Sequence, residues 1–100
     1  MNLQQKIDFL RTTPFPMSSK DDELSDWICE LHEVDTYCAG LAISFLDGCD
    51  ISIHSPDCTQ VLKQRLASLG GDAMTMNICL KRIEILDEIL QDLKSFTQSK

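Results

Sequence analysis

The sequence predicts an all-α fold, a small four-helix bundle of two long and two short helices. Three observations lead there. Apolar residues recur with a 3.6-residue period over the last quarter of the chain, a similar period runs through residues 20–46, and Pro, Gly and Ser clusters cut the remainder into short helical pieces. An α+β arrangement with a β-hairpin at 41–54 packed on helices is the competing prediction.

Residues 2–11 form the first expected helix, with Leu3, Ile7 and Leu10 on one side. Thr12-Thr13-Pro14-Phe15-Pro16 ends it, because proline removes a backbone donor and biases the residue before it away from helix. Phe15 is expected to lie as a lid over the end of the core. Ser18 or Ser19 offers a cap for the second helix, with Asp21, Asp22 and Glu23 in the turn where the helix dipole favours anions. From there Leu24, Trp27, Ile28, Leu31, Val34, Cys38, Leu41, Ala42 and Phe45 keep helical spacing, which predicts one long helix over 20–46. Gly40 interrupts it, and beside Ala39 and Ala42 it suggests close approach of another backbone.

The hairpin alternative begins here. Leu41, Ile43 and Phe45 alternate with Ala42 and Ser44; after Asp47-Gly48, Cys49, Ile51 and Ile53 alternate with Asp50, Ser52 and His54. Asp-Gly between alternating runs is a strong hairpin signal, yet Gly48 serves equally as the left-handed residue that ends a helix.

Ser55-Pro56-Asp57 predicts the start of a third helix carrying Val61, Leu62, Leu66 and Leu69, and Gly70-Gly71 ends it. Asp72 caps the last. In that helix Met76, Cys79, Leu80, Ile83, Leu86, Leu90 and Leu93 share a face, and Ile78, Ile85, Ile89 and Phe96 widen the apolar arc to roughly 220°. The helix must therefore touch neighbours on two sides. Rods of about 40 Å, packed antiparallel and flanked by helices of about 15 and 20 Å, are expected to leave part of this arc open to a second copy or a partner.

The chain of 100 residues, 43% hydrophobic and 25% charged, reads as a single helical domain over 1–100. MNLQQKIDFL lacks the basic and apolar regions of a secretory signal, and no apolar run nears the ~20 residues of a membrane span. A cytoplasmic location is expected, with the five cysteines as reduced small fillers; Cys38 and Cys79 lie on apolar faces. A net charge of −7 argues against nucleic acid and anionic membranes as partners and suits a basic protein.

The most distinctive charge pattern is Asp22, Asp26, Glu30 and Glu33, spaced by four, four and three residues along one helical face. A solvated face tolerates such repulsion, and an acidic docking stripe would use it, with Trp27 nearby. Asp35 falls inside the apolar arc of its helix and Arg82 between the two apolar stripes of the last. Buried charges need partners, so a salt bridge is expected between Asp35 and Arg82, with Arg65 as the alternative base.

Cys29-x-x-His32 and His54-x-x-x-Cys58 hold the ligand types of a tetrahedral zinc site, but not a standard half-site spacing. No G-x-S-x-G, P-loop, G-x-G-x-x-G or H-E-x-x-H pattern occurs. The expected function is accordingly a non-enzymatic, cofactor-free protein-binding module, an inhibitor-, immunity- or antitoxin-like protein docking on a basic partner. The alternatives are a homodimeric structural or regulatory protein, self-associating through the helix 72–98, and a small metal-binding enzyme or sensor using the Cys/His set.

Overall fold

The computed structural model describes residues 1–15, 23–54, 57–69 and 73–98. Four helices, and no strand among the described residues, make up the fold: α1 Leu3–Thr12, α2 Glu23–Leu46, α3 Cys58–Leu69 and α4 Ala73–Gln98. None of them is long and apolar enough to cross a membrane.

Local chemistry accounts for the helix ends. Asn2 caps α1: its side chain accepts from the Gln5 amide and the Gln5 side chain accepts from the Asn2 amide, both at 2.8 Å. This reciprocal box satisfies two otherwise orphaned donors. Thr13, just before Pro14, is extended and stops the helix. At the end of α2, Gly48 adopts φ 85°, its amide bonding to the Phe45 carbonyl at 3.0 Å and the Cys49 amide to the Ser44 carbonyl at 2.9 Å. Those two bonds are a Schellman stop, so Asp47-Gly48 terminates a helix instead of turning a hairpin. Leu41 to Leu46 stay in α2 because Cys38 and Ala42 are buried on the same seam. Ile51 and Ile53 pack half-buried on the core outside any strand. The hairpin alternative is thereby overturned.

Ser55, Pro56 and Asp72, expected as helix starts, lie outside the described residues, as does the 16–22 stretch with Ser18, Ser19, Asp21 and Asp22. The first described bond of α3 runs from the Val61 amide to the Asp57 carbonyl, which makes Asp57 the cap residue.

The helices alternate in direction. Lys6 pairs with Asp92, while Leu10 and Thr13 meet Arg82, so α1 runs opposite to α4. The Thr59 hydroxyl donates to Asp87 at 3.0 Å. Arg65, further along α3, bonds to Glu30, which precedes Asp35 and so lies at a level before Arg82; α3 therefore also runs opposite to α4. Asp35 meets Arg82 and Phe45 stacks on Phe96, with centroids 5.3 Å apart, so α2 and α4 are parallel. The expected antiparallel rods are corrected: two chain reversals, into α3 and out of it, restore the original direction. The long helices form the contacting diagonal, with α1 against one side of the pair and α3 against the other.

That arrangement covers more of α4 than its length suggested. Cys79, Ile83, Ile85, Leu86, Ile89, Leu90 and Leu93 are all buried within the chain, in a core shared with Leu3, Ile7, Leu10, Trp27, Leu31, Leu62 and Leu66. Only near the ends does the arc reach solvent, at Ile78 (38% exposed) and Phe96 (45%). Gly40 approaches no other backbone, since a Cβ there would meet nothing within 4 Å.

Arg82 is the charged centre of the core, 1% exposed. Its guanidinium donates to Asp35 at 2.6 Å and to the carbonyls of Leu10 and Thr13, and lies 4.0 Å from the centroid of the Phe15 ring. Phe15 is thus a lid, over a cation. Among the described residues its Nε alone of the buried side-chain polar atoms lacks a partner.

Asp35→Asn is expected to destabilise the protein by about 3 kcal/mol in urea unfolding, because it strands a buried cation. Gly40→Ala and Gly48→Ala should act with opposite signs. Alanine at 40 removes a helix-interior glycine and stabilises by about 0.5–1 kcal/mol, whereas alanine at 48 must hold a left-handed backbone and costs about 1 kcal/mol.

Candidate protein-binding surface

The first half of α2 presents its carboxylates as helical spacing requires. Glu23, Asp26 and Glu33 are exposed, and Glu30 is half-exposed and bonded to Arg65 across the α2–α3 gap. Asp22 lies outside the described residues. Because Arg65 takes Glu30, it is unavailable as the alternative base for Asp35, whose partner is Arg82.

Trp27 is not part of this surface, which corrects its expected contact role. It is 0% exposed, and its indole N–H donates to the Leu62 carbonyl at 3.0 Å. The residue lies four before Leu31 and eleven before Cys38, on the seam that faces the core, about 100° around the helix from Asp26. Its ring holds α3 against α2.

A groove of about 540 Å³ opens beside the acidic face, between α2 and the start of α3. Glu30, Glu33 and Val34 form one wall; His54, Asp57, Cys58, Val61 and Leu62 form the other. Asp57 and Val61 are the members that sequence reasoning missed. Asp57 read as a helix-start acid and Val61 as core, yet Val61 is 51% exposed. Its neighbour Leu62 and Leu66 four residues on supply the buried stripe of α3, and that spacing is the one available hint that Val61 points elsewhere.

The cysteine–histidine set is divided. His32 stacks on Phe15, with centroids 4.8 Å apart, on the α1 side. His54 and Cys58 line the groove, and the His54 amide donates to the Tyr37 hydroxyl at 2.9 Å. No three His, Cys, Asp or Glu converge as metal ligands among the described residues.

All five cysteines are free. Cys38 and Cys79 are buried fillers, whereas Cys29 and Cys49 are exposed and fill nothing. The Cys38 and Cys58 thiols lie close to each other across the α2–α3 seam. Burial pushes the Cys38 thiol well above its ordinary value, helped by Cys58 and by the carboxylates of Asp35 and Asp87. Burial raises Cys58 as well, against opposing hydrogen bonds from the first amides of α3 and from Cys38. Neither is an activated nucleophile.

Comparison with protein-family models, with curated proteins and with solved structures gave no match. Fold and surface together define a small all-α bundle with an acidic face and an adjoining groove.

The thiol environment sets a pH dependence. An unfolded thiol loses its proton near its ordinary value of 9.0, while folded Cys38 keeps it to higher pH, so the unfolded state binds fewer protons above that point. Stability is therefore expected to be fully retained below pH 9 and to fall as pH rises beyond it. Cys38→Ala should flatten this decline in denaturant curves recorded across the alkaline range.

Proposed function

We propose that this chain is a non-enzymatic protein-binding module, acting as an inhibitor-, immunity- or antitoxin-like partner of a basic protein. The observation that carries the reading is the row of exposed carboxylates, Glu23, Asp26 and Glu33, on a helix whose other side is pinned by Trp27, Leu31 and the Asp35–Arg82 pair. On such a support the backbone beneath the charges is already ordered, which favours selective electrostatic recognition. The net charge of −7 adds long-range attraction for a cationic surface. Five free thiols suit a reducing compartment, which supports a cytoplasmic encounter.

Self-association through α4 has weaker support. Its exposed apolar residues are Met74 and Ile78, one turn apart near its start, and Phe96 about 27 Å further along, and so do not form one continuous patch.

The test is affinity capture from the native host with the wild type and an Asp26→Lys/Glu33→Lys variant, followed by binding kinetics on the protein retained. A basic partner should be retained by the wild type and lost by the variant. Its association rate should fall about tenfold between low and physiological salt. A rate indifferent to salt sinks the reading.

A further inference from the structure

The α2–α3 groove has a more specific chemistry than the acidic face beside it. Carboxylates from two separate elements meet at it, Glu30 and Glu33 from α2 and Asp57 from the turn into α3. Between them the lining is apolar, from Val34, Val61 and Leu62. The groove is open to solvent, and a volume of about 540 Å³ is enough to seat an anchoring side chain. Carboxylates around an apolar wall suit a guest with a hydrocarbon stem and a cationic head. Neither a bare cation nor a hydrocarbon would use both parts. Lysine and arginine side chains have that build.

The chain itself indicates which of the two. The Arg65 guanidinium already bonds to Glu30, so the rim accepts this group in place. Both side chains of that pair are nearly half exposed, 46% and 44%, and a pair so wet contributes little and exchanges readily. Glu33 and Asp57 have no cation bonded to them among the described residues. A guanidinium presents a planar fork to carboxylates and is less strongly hydrated than an ammonium, so it loses less on entering a partly apolar groove.

The walls are also held. The Trp27 indole bonds to the Leu62 carbonyl, Thr59 bonds to Asp87 on α4, and the Cys38 and Cys58 thiols meet at the same seam. A guest would therefore meet a formed site and pay little for ordering it.

We infer that this groove is the anchoring point for the partner, and that it takes an arginine side chain of a basic protein. The stem lies along Val61 and Leu62, and the guanidinium is directed to Glu33 and Asp57. The inference rests on the basic-partner reading and adds to it the place and the anchoring residue. Buried Trp27 then acts as a positioning residue, holding the wall that the guest lines up against.

Backbone NMR titration of the full chain with a capped leucine–arginine–leucine–arginine peptide tests it, beside the same peptide carrying citrulline at both arginines. The arginine peptide should give saturable shifts at the amides of Val34, Cys58 and Leu62, and citrulline should bind about tenfold more weakly. Glu33→Gln and Asp57→Asn should each weaken the arginine peptide; asparagine keeps the ability to cap α3, so a loss there reports charge and not unfolding. Equal affinity for citrulline, or absence of any shift at the groove, overturns the inference. Shifts confined to the turn of Glu23 and Asp26 overturn the groove and leave the basic-partner reading standing, whereas failure of host capture removes both. Groove shifts that grow with protein concentration alone make a second copy the guest, and overturn it too.

Discussion

A guanidinium sealed inside a hydrocarbon core imposes conditions on everything near it. Arg82 is tolerable there because its charge is matched and both terminal nitrogens of its guanidinium are bonded, and the groups that do so come from three directions. Asp35 brings α2, the carbonyls of Leu10 and Thr13 bring the end of α1, and Phe15 supplies an aromatic face. One side chain on α4 thus sets the level at which three helices meet. Lys6 with Asp92 repeats the principle at the other end of α1, at 2.5 Å. A helix of ten residues is marginal in water, so α1 owes its place to these two attachments and to the burial of Leu3, Ile7 and Leu10.

The surface follows from how that core is built. With α1 on one side of the α2–α4 pair and α3 on the other, α2 has neighbours on both flanks as well as along its seam with α4. Its acids occupy what is left, and the helix beneath them cannot rotate without exposing Trp27 or separating Asp35 from Arg82. The groove lies where α3 begins. Thr59 and Leu62 are drawn inward to Asp87 and the core, while Val61 and Asp57 remain at the edge facing Glu33. Mixed apolar and acidic groups thus sit at the junction of two firmly attached helices rather than on a loose loop.

Helical periodicity made much of this visible beforehand. The 3.6-residue spacing locates α2 and α4, and wheel position alone marks Asp35 and Arg82 as charges that need each other. The Asn2–Gln5 box is equally local, since both partners lie within four residues. Alternation around Asp47-Gly48 is real in Ile51 and Ile53, yet these side chains find helices to pack on and need no paired strand. Trp27 shows the limit of reading an edge: its ring sits beside the acidic row in sequence and beneath α3 in space.

The sequence alone determined most of the helical stretches, 41–54 excepted, and which side of the long helices is greasy, because rotation of 100° per residue is a local property of the backbone. It also determined the acidic row, since neighbours four apart share a face in any helix. Only the tertiary structure decided that the long helices run parallel, that the short ones suffice to cover α4, and that Asp57 and Val61 face Glu33 across a groove. Those outcomes depend on chain reversals and on contacts between residues far apart in sequence, and no local period encodes them.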